Sequence, residues 1–295
     1  MSKAYLFPGQ GSQFIGMGKD LAKENKIVQK RFAEADNILG YSLTDVMFNG
    51  PEEKLKQTEF TQPAIFLHSV ALFESLDIKP DMTAGHSLGE FSAIVAAGAM
   101  SFEDGLKLVS LRGQLMQKAG EENPGSMAAI IGMDDEIVEI ICDEATTQTF
   151  KPVVPANYNS PGQIVISGDP KAVEEAVELA KGRGCRLAKI LPVSGAFHSE
   201  LMKPAYDGLK DKLKDVTFRK PDCPVYSNYT AKPTENPEEI EENLLKQLLN
   251  PVRWTQTLKN MHNDGADEFI EIGPGKVLQG LVKRTLRNVE ISGYQ

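Results

Sequence analysis

Three times along the chain a short apolar run breaks at a glycine-bearing turn: residues 4–7 before Pro8-Gly9-Gln10-Gly11, residues 82–85 before His86-Ser87-Leu88-Gly89, and residues 268–272 before Gly273-Pro274-Gly275. The second and third turns lead straight into helical patterns, so the runs read as buried strands joined by crossover helices. Parallel strands need such crossovers, and an α/β fold with a mostly parallel sheet is expected. A chain of 295 residues can bury a full core without help from metals or disulfides. Gly273-Pro274-Gly275 reads as a structural turn, with Pro274 near the first position of the helix that follows.

The order changes in the middle of the chain. Residues 126–132 read as a strand, 134–145 as a helix, 153–157 and 163–167 as a hairpin around Asn159-Ser160-Pro161-Gly162, 170–181 as a helix, and 186–191 as a last strand. That βαββαβ succession is the ferredoxin-like pattern. The expected division is therefore a small ferredoxin-like α+β subdomain over residues 125–195, inserted in a large α/β domain made of residues 1–124 and 196–295. A cleft between the two is the natural place for a site.

The bulk numbers exclude several classes. A formal net charge of -9 argues against nonspecific binding to nucleic acid, which needs a basic face. No apolar run approaches membrane-spanning length, and the first residues are too short for a signal-peptide apolar region. Cys142, Cys185 and Cys223 are odd in number, far apart and without CxxC spacing, so neither a disulfide framework nor a zinc site is expected. A reducing, cytoplasmic compartment fits them. Two local basic clusters stand out, Arg183, Arg186 and Lys189, and Lys276, Lys283, Arg284 and Arg287. Each reads as solvated surface charge or as a landing place for an acidic partner.

Gly85-His86-Ser87-Leu88-Gly89 matches GxSxG and stands between a strand and a helical stretch over residues 89–99. In a nucleophile elbow the serine sits on such a turn, and the next backbone N–H faces the developing oxyanion. The alternative is an ordinary strand-to-helix turn with Ser87 as N-cap and Glu90 closing a capping box. A nucleophilic serine needs a base. His68 lies in an apolar helical run and His262 in a polar one, which suits structural or surface roles, and His86 adjoins the serine, where side chains usually point apart. His198 is the better candidate, because it falls where the small unit rejoins the large one. A loop histidine satisfied by its surroundings is the other reading.

Along residues 102–119, Gln117, Ser110, Glu103, Gln114, Lys107 and Lys118 share one arc of the helical wheel and the rest is almost wholly apolar. Arg112 falls near the middle of the apolar part. A buried guanidinium costs several kcal/mol unless paired, so an anion is expected beside it, either an internal carboxylate or a ligand carboxylate gripped by the planar fork.

Together with Phe7-Pro8-Gly9-Gln10-Gly11-Ser12-Gln13, Leu111-Arg112-Gly113, Asn157-Tyr158-Asn159-Ser160-Pro161-Gly162-Gln163, Ala196-Phe197-His198, Gln247-Leu248-Leu249-Asn250-Pro251-Val252-Arg253-Trp254 and Glu271-Ile272-Gly273-Pro274-Gly275-Lys276-Val277-Leu278, these motifs resemble the malonyl-CoA:acyl carrier protein transacylase family over nearly the whole chain. The resemblance implies a hydrolase-like core with a ferredoxin-like insert. It makes Ser87 the acylated nucleophile, His198 the general base and acid, and Arg112 the partner of the malonyl carboxylate. Gln10 and Leu88 would give the oxyanion-hole amides, Gln247 a main-chain carbonyl that orients His198, and His86 and Asn157 would line the site. Phe197 departs from the serine that many stand-alone bacterial members carry there and resembles malonyl-selective polyketide domains, so exclusion of an α-methyl substituent is implied. Malonyl-CoA as donor, acyl carrier protein as partner, a monomer, no metal or redox cofactor, and fatty-acid rather than polyketide synthesis complete the expectation. A serine thioesterase or hydrolase would share GxSxG and a histidine but has no use for Arg112, and a non-enzymatic scaffold has no use for any of the three.

Overall fold

The structure, a computed structural model, describes residues 2–193 and 195–295. Its strands in chain order are β1 (Ser2–Phe7), β2 (Met82–Gly85), β3 (Ser126–Ile131), β4 (Val153–Ser160), β5 (Gln163–Gly168), β6 (Leu187–Ile190), β7 (Val225–Tyr226), β8 (Pro233–Thr234), β9 (Ala266–Ile272) and β10 (Glu290–Tyr294). The three apolar runs become the adjacent strands β9, β1 and β2 of a six-stranded sheet ordered β10-β9-β1-β2-β7-β8. Every neighbouring pair is parallel except the edge pair β7 and β8. The glycine-bearing turns therefore leave from one end of the sheet, the carboxyl ends of its strands, where ligands bind in open α/β sheets.

The helix Thr58–Ser75 is buried at every position from Thr61 to Phe73. A helix apolar all round has no solvent face and belongs in the core. The helix Phe102–Glu122 packs on it and buries Leu106, Leu108, Val109, Arg112 and Met116 along one side.

The segment from residue 126 to residue 190 forms the second sheet, β4-β5-β3-β6, antiparallel throughout. The helices Asp135–Thr149 and Pro170–Gly182 cover it, and Ile130, Val138, Ile141, Ile166 and Val173 lie in its own core. β4 is tied to the segment before the helix Trp254–Asn263, where Tyr158 N donates to Val252 O (2.9 Å) and Val252 N to Ala156 O (2.8 Å).

Several boundaries move. The helix expected over residues 89–99 spans Gly89–Ala96, because the chain then turns so that Ala97 and Ala99 accept from the amides of Asp222 and Arg219. The helices expected to end at residues 119 and 145 run on to Glu122 and Thr149. Pro274 is not near the first position of its helix, which spans Val277–Thr285. The buried Glu271 carboxylate supplies that helix start instead, accepting from Leu278 N and Gln279 N, each at 3.0 Å. Among the described residues no helix is long and apolar enough to cross a membrane.

Candidate active site

At the end of β2 the chain reverses into the helix Gly89–Ala96 through Ser87, whose φ is 52°. A non-glycine residue in this left-handed region carries strain, so surrounding contacts must hold it. Two side chains do so. Asn228 accepts from Ser87 N (2.6 Å) and donates to Gly85 O (2.6 Å), and Gln247 Nε2 donates to Ser87 O (3.0 Å). Glycine is required beside the turn, because a Cβ on Gly89 would collide with the Phe7 carbonyl and one on Gly9 with the His86 carbonyl. These close approaches, with His86 N donating to Phe7 O (2.9 Å), bring the loop after β1 against the elbow. The amides of Gln10 and Leu88 find no acceptor among the described residues.

Ser87 Oγ lies 2.8 Å from His198 Nε2, and His198 Nδ1 lies 2.8 Å from the main-chain oxygen of Gln247. A carbonyl oxygen only accepts, so Nδ1 carries the proton and Nε2 is left to take one from the serine. His198 also holds left-handed backbone, with φ 58°. Burial, and then the charge of Arg112, push its imidazole down to about 3, so it stands neutral at pH 7. The capping-box alternative is not what the chain adopts. The helix begins with Leu88 as N-cap, and Glu90 turns inward to accept from Gln247 Nε2 (2.6 Å) and Asn228 N (3.1 Å).

Arg112 is 1% exposed. Its Nη1 donates to Gln62 Oε1 (2.8 Å), and its Nη2 to Gln247 Oε1 (3.0 Å) and Ser87 Oγ (3.1 Å). No carboxylate among the described residues lies within ion-pair distance of it. The internal carboxylate left open by the sequence is thus absent from its immediate shell, and two neutral amides fix the fork beside the serine. Burial lowers Arg112 to about 10, opposed by the more distant Glu90, so it remains cationic.

The pocket in front of Ser87 has a volume of about 240 Å³. Its lining combines polar residues, among them Gln10, Gln62, Arg112 and His198, with apolar ones such as Met116 and Phe197. Eight of the nine candidate site residues line this pocket, and the ninth, Gln247, bonds to Arg112 and His198. His86 donates through Nε2 to Asn159 Oδ1 (2.7 Å) and rests edge-on against Trp254. His68 and His262 are elsewhere, the first buried in the helix Thr58–Ser75 and the second bonded to Ala266 O. Sequence reasoning missed Gln62 and Asn228 and gave Glu90 a different part. Gln62 did leave a signal, as a lone amide in an apolar helical run, while Asn228 left none.

Residues 4–294 match the acyl transferase domain family. A malonyl CoA-acyl carrier protein transacylase of Bacillus subtilis (strain 168) is 48% identical over 294 residues, which cover 98% of this chain and 92% of the relative. Among solved structures, an acyl carrier protein S-malonyltransferase from Vibrio cholerae superposes with TM-score 0.96 at 44% identity, covering 100% of this chain and 97% of the other. A malonyl-transacylase solved in complex with its type II polyketide acyl-carrier protein superposes with TM-score 0.94 at 43% identity, covering 99% and 95%.

Proposed function

The chain belongs to the malonyl-CoA:acyl carrier protein transacylase family, and we propose that it performs that transfer through an ester on Ser87, with His198 as base and acid and Arg112 as the carboxylate receptor. The observation that carries the residue roles is a buried guanidinium with no carboxylate partner among the described residues, donating directly to the serine that His198 activates.

In the first half-reaction His198 Nε2 takes the Ser87 proton, and Oγ attacks the malonyl thioester carbonyl. The oxyanion is received by the amides of Gln10 and Leu88, which work without reorganising because the turn already holds them. Collapse breaks the C–S bond, and His198 returns the proton to the leaving coenzyme A thiolate. In the second half the phosphopantetheine thiol of the acyl carrier protein gives its proton to His198 and attacks the malonyl-serine ester; collapse breaks the acyl C–Oγ bond, and His198 passes the proton to Ser87 Oγ, regenerating the hydroxyl. The Gln247 carbonyl fixes the imidazole tautomer without placing a second negative charge near the malonyl group. Arg112 binds the free carboxylate bidentately. Phe197 and the apolar lining crowd an α-methyl group, and His86 and Asn157 shape the rest of the pocket. Each step uses groups of the chain itself, so the scheme calls for no metal or redox cofactor, and one monomer holds the complete site.

The division into a hydrolase-like catalytic domain, residues 1–124 and 196–295, and a ferredoxin-like insert, residues 125–195, is supported by the two separate sheets and by the antiparallel order of the second. A cytoplasmic setting suits the three free thiols. A fatty-acid carrier is the partner, and the cluster around Lys283 and Arg284 is its landing place. Arg284 borders a hollow that shares Gln10, His86 and Asn159 with the pocket, whereas Arg183 is already paired with Glu144. The test is transfer from radiolabelled malonyl-CoA to purified phosphopantetheinylated fatty-acid carrier. Labelled carrier is expected, and free labelled malonate in its place would indicate a hydrolase.

A further inference from the structure

Glu90 is 2% exposed and lies behind the site, in the first turn of the helix Gly89–Ala96. The acyl-transfer steps do not use it. Its Oε2 nevertheless joins the two clamps of the elbow, accepting from the side chain of Gln247 (2.6 Å) and the backbone of Asn228 (3.1 Å). We propose that Glu90 is a positioning residue for acyl selection, acting through the side-chain amide of Gln247 on Arg112. This rests on the reading of Arg112 as the carboxylate receptor.

Glu90 Oε2 accepts from Asn228 N and from Gln247 Nε2, so the Gln247 NH₂ group faces Glu90. Its second hydrogen goes to Ser87 O, and its Oε1 is thereby turned to receive Arg112 Nη2 at 3.0 Å. Turned end for end, the same amide would set a donor against the guanidinium and lose all three bonds. Gln62 Oε1 holds Nη1 in the same way from the other end. The fork is therefore fixed in its plane by two amide oxygens, and the orientation of one of them is dictated by Glu90. Burying this carboxylate is unfavourable, and burial raises it to about 7, with Gln247, Asn228 and Arg112 pulling it back toward the ionised form. A group that costly, touching no substrate, is retained where its hydrogen bonds set the geometry of others.

The test compares kcat/KM for loading from malonyl-CoA and from acetyl-CoA in folded variants. Glu90→Ala leaves Gln247 without its anchor, and the malonyl-to-acetyl ratio should fall about tenfold, the order of one hydrogen bond to a charged group. Glu90→Gln still offers an acceptor to Gln247 and should bring the ratio back to within about threefold of native. Gln247→Ala reads the relay from its other end and should lower the ratio in the same direction. A native ratio in folded Glu90→Ala, or a ratio in Glu90→Gln as low as in Glu90→Ala, overturns the proposal. Should Glu90→Ala fail to fold, a native ratio in folded Gln247→Ala overturns it. Arg112→Ala separates the two layers. An unchanged ratio there overturns the reading of Arg112 and this proposal with it, while a fall there with none in Glu90→Ala overturns the role of Glu90 alone.

Discussion

His198 Nε2 sits 2.8 Å from Ser87 Oγ, and both residues hold left-handed backbone, with φ 58° and 52°. Two strained non-glycine residues facing one another are expected where a site is held ready by its surroundings. Here the surroundings are Asn228 and Gln247, which clamp the serine turn and, in the case of Gln247, the imidazole as well.

The clamp on the serine turn can be tested apart from the chemistry. Asn228→Ala removes an acceptor from Ser87 N and a donor from Gly85 O, one hydrogen bond partly buried and the other fully. Leaving such groups unpaired costs about 1 to 3 kcal/mol each. The variant should melt at lower temperature and load malonyl and acetyl groups more slowly by a similar factor. A melting curve and loading rates equal to native would show that the strained turn holds itself.

Arg112→Ala should change the choice of acyl group more than the chemistry at Ser87. Stranding a buried carboxylate without its partner costs about 3 to 5 kcal/mol, so malonyl loading should fall by a factor on the order of 10² to 10³. Acetyl-CoA has no carboxylate to strand, and its loading should hold steady or rise. The check is kcat/KM for both donors with folding verified by circular dichroism. Equal losses for the two would make Arg112 structural or catalytic instead.

The buried His198 gives stability a pH dependence of known sign. Its folded-state value is depressed from 6.5 to about 3, chiefly by burial. Between those values the unfolded chain binds a proton that the folded chain refuses, so stability is lost as pH falls below 6.5, by about 1.4 kcal/mol per pH unit from this group. His198→Gln removes the group, and denaturant midpoints of the variant should fall less than native between pH 7 and 5. Identical slopes would mean that the folded chain binds this proton as readily as the unfolded one.

How much of this was legible depends on how far apart the cooperating residues lie. Ser87 and Arg112 announce themselves within single elements, one through a strand-turn-helix motif and the other through a charge on an apolar helix face. The central strands β1, β2 and β9 are equally local, as apolar runs ended by glycine turns. The strands β7 and β8, of two residues each, carry no pattern long enough to read. The clamps are long-range: Asn228 meets Ser87 across 141 positions and Gln247 meets Glu90 across 157. Glu90 is the instructive case. Its spacing from Ser87 suits a capping box, but its carboxylate turns inward and accepts from the distant Gln247 and Asn228 instead.

Carrier docking gives a prediction that separates the two basic clusters. Reversing Lys283 and Arg284 should raise the carrier KM several-fold at low salt and leave loading from malonyl-CoA less affected, since rim charges act mainly on association. Reversing Arg183, already paired with Glu144, should do less. Unchanged carrier kinetics in the Lys283 and Arg284 variant would remove that cluster from the docking surface.

The central claim is a malonyl ester on Ser87, and intact-mass spectrometry after brief incubation with malonyl-CoA tests it most directly. The native chain should gain one malonyl group, localised by peptide mapping to Ser87, and lose it when a carrier thiol is added. Folded Ser87→Ala should gain none. A malonyl adduct on Ser87→Ala, or a native chain that releases coenzyme A without ever carrying the adduct, would contradict the account.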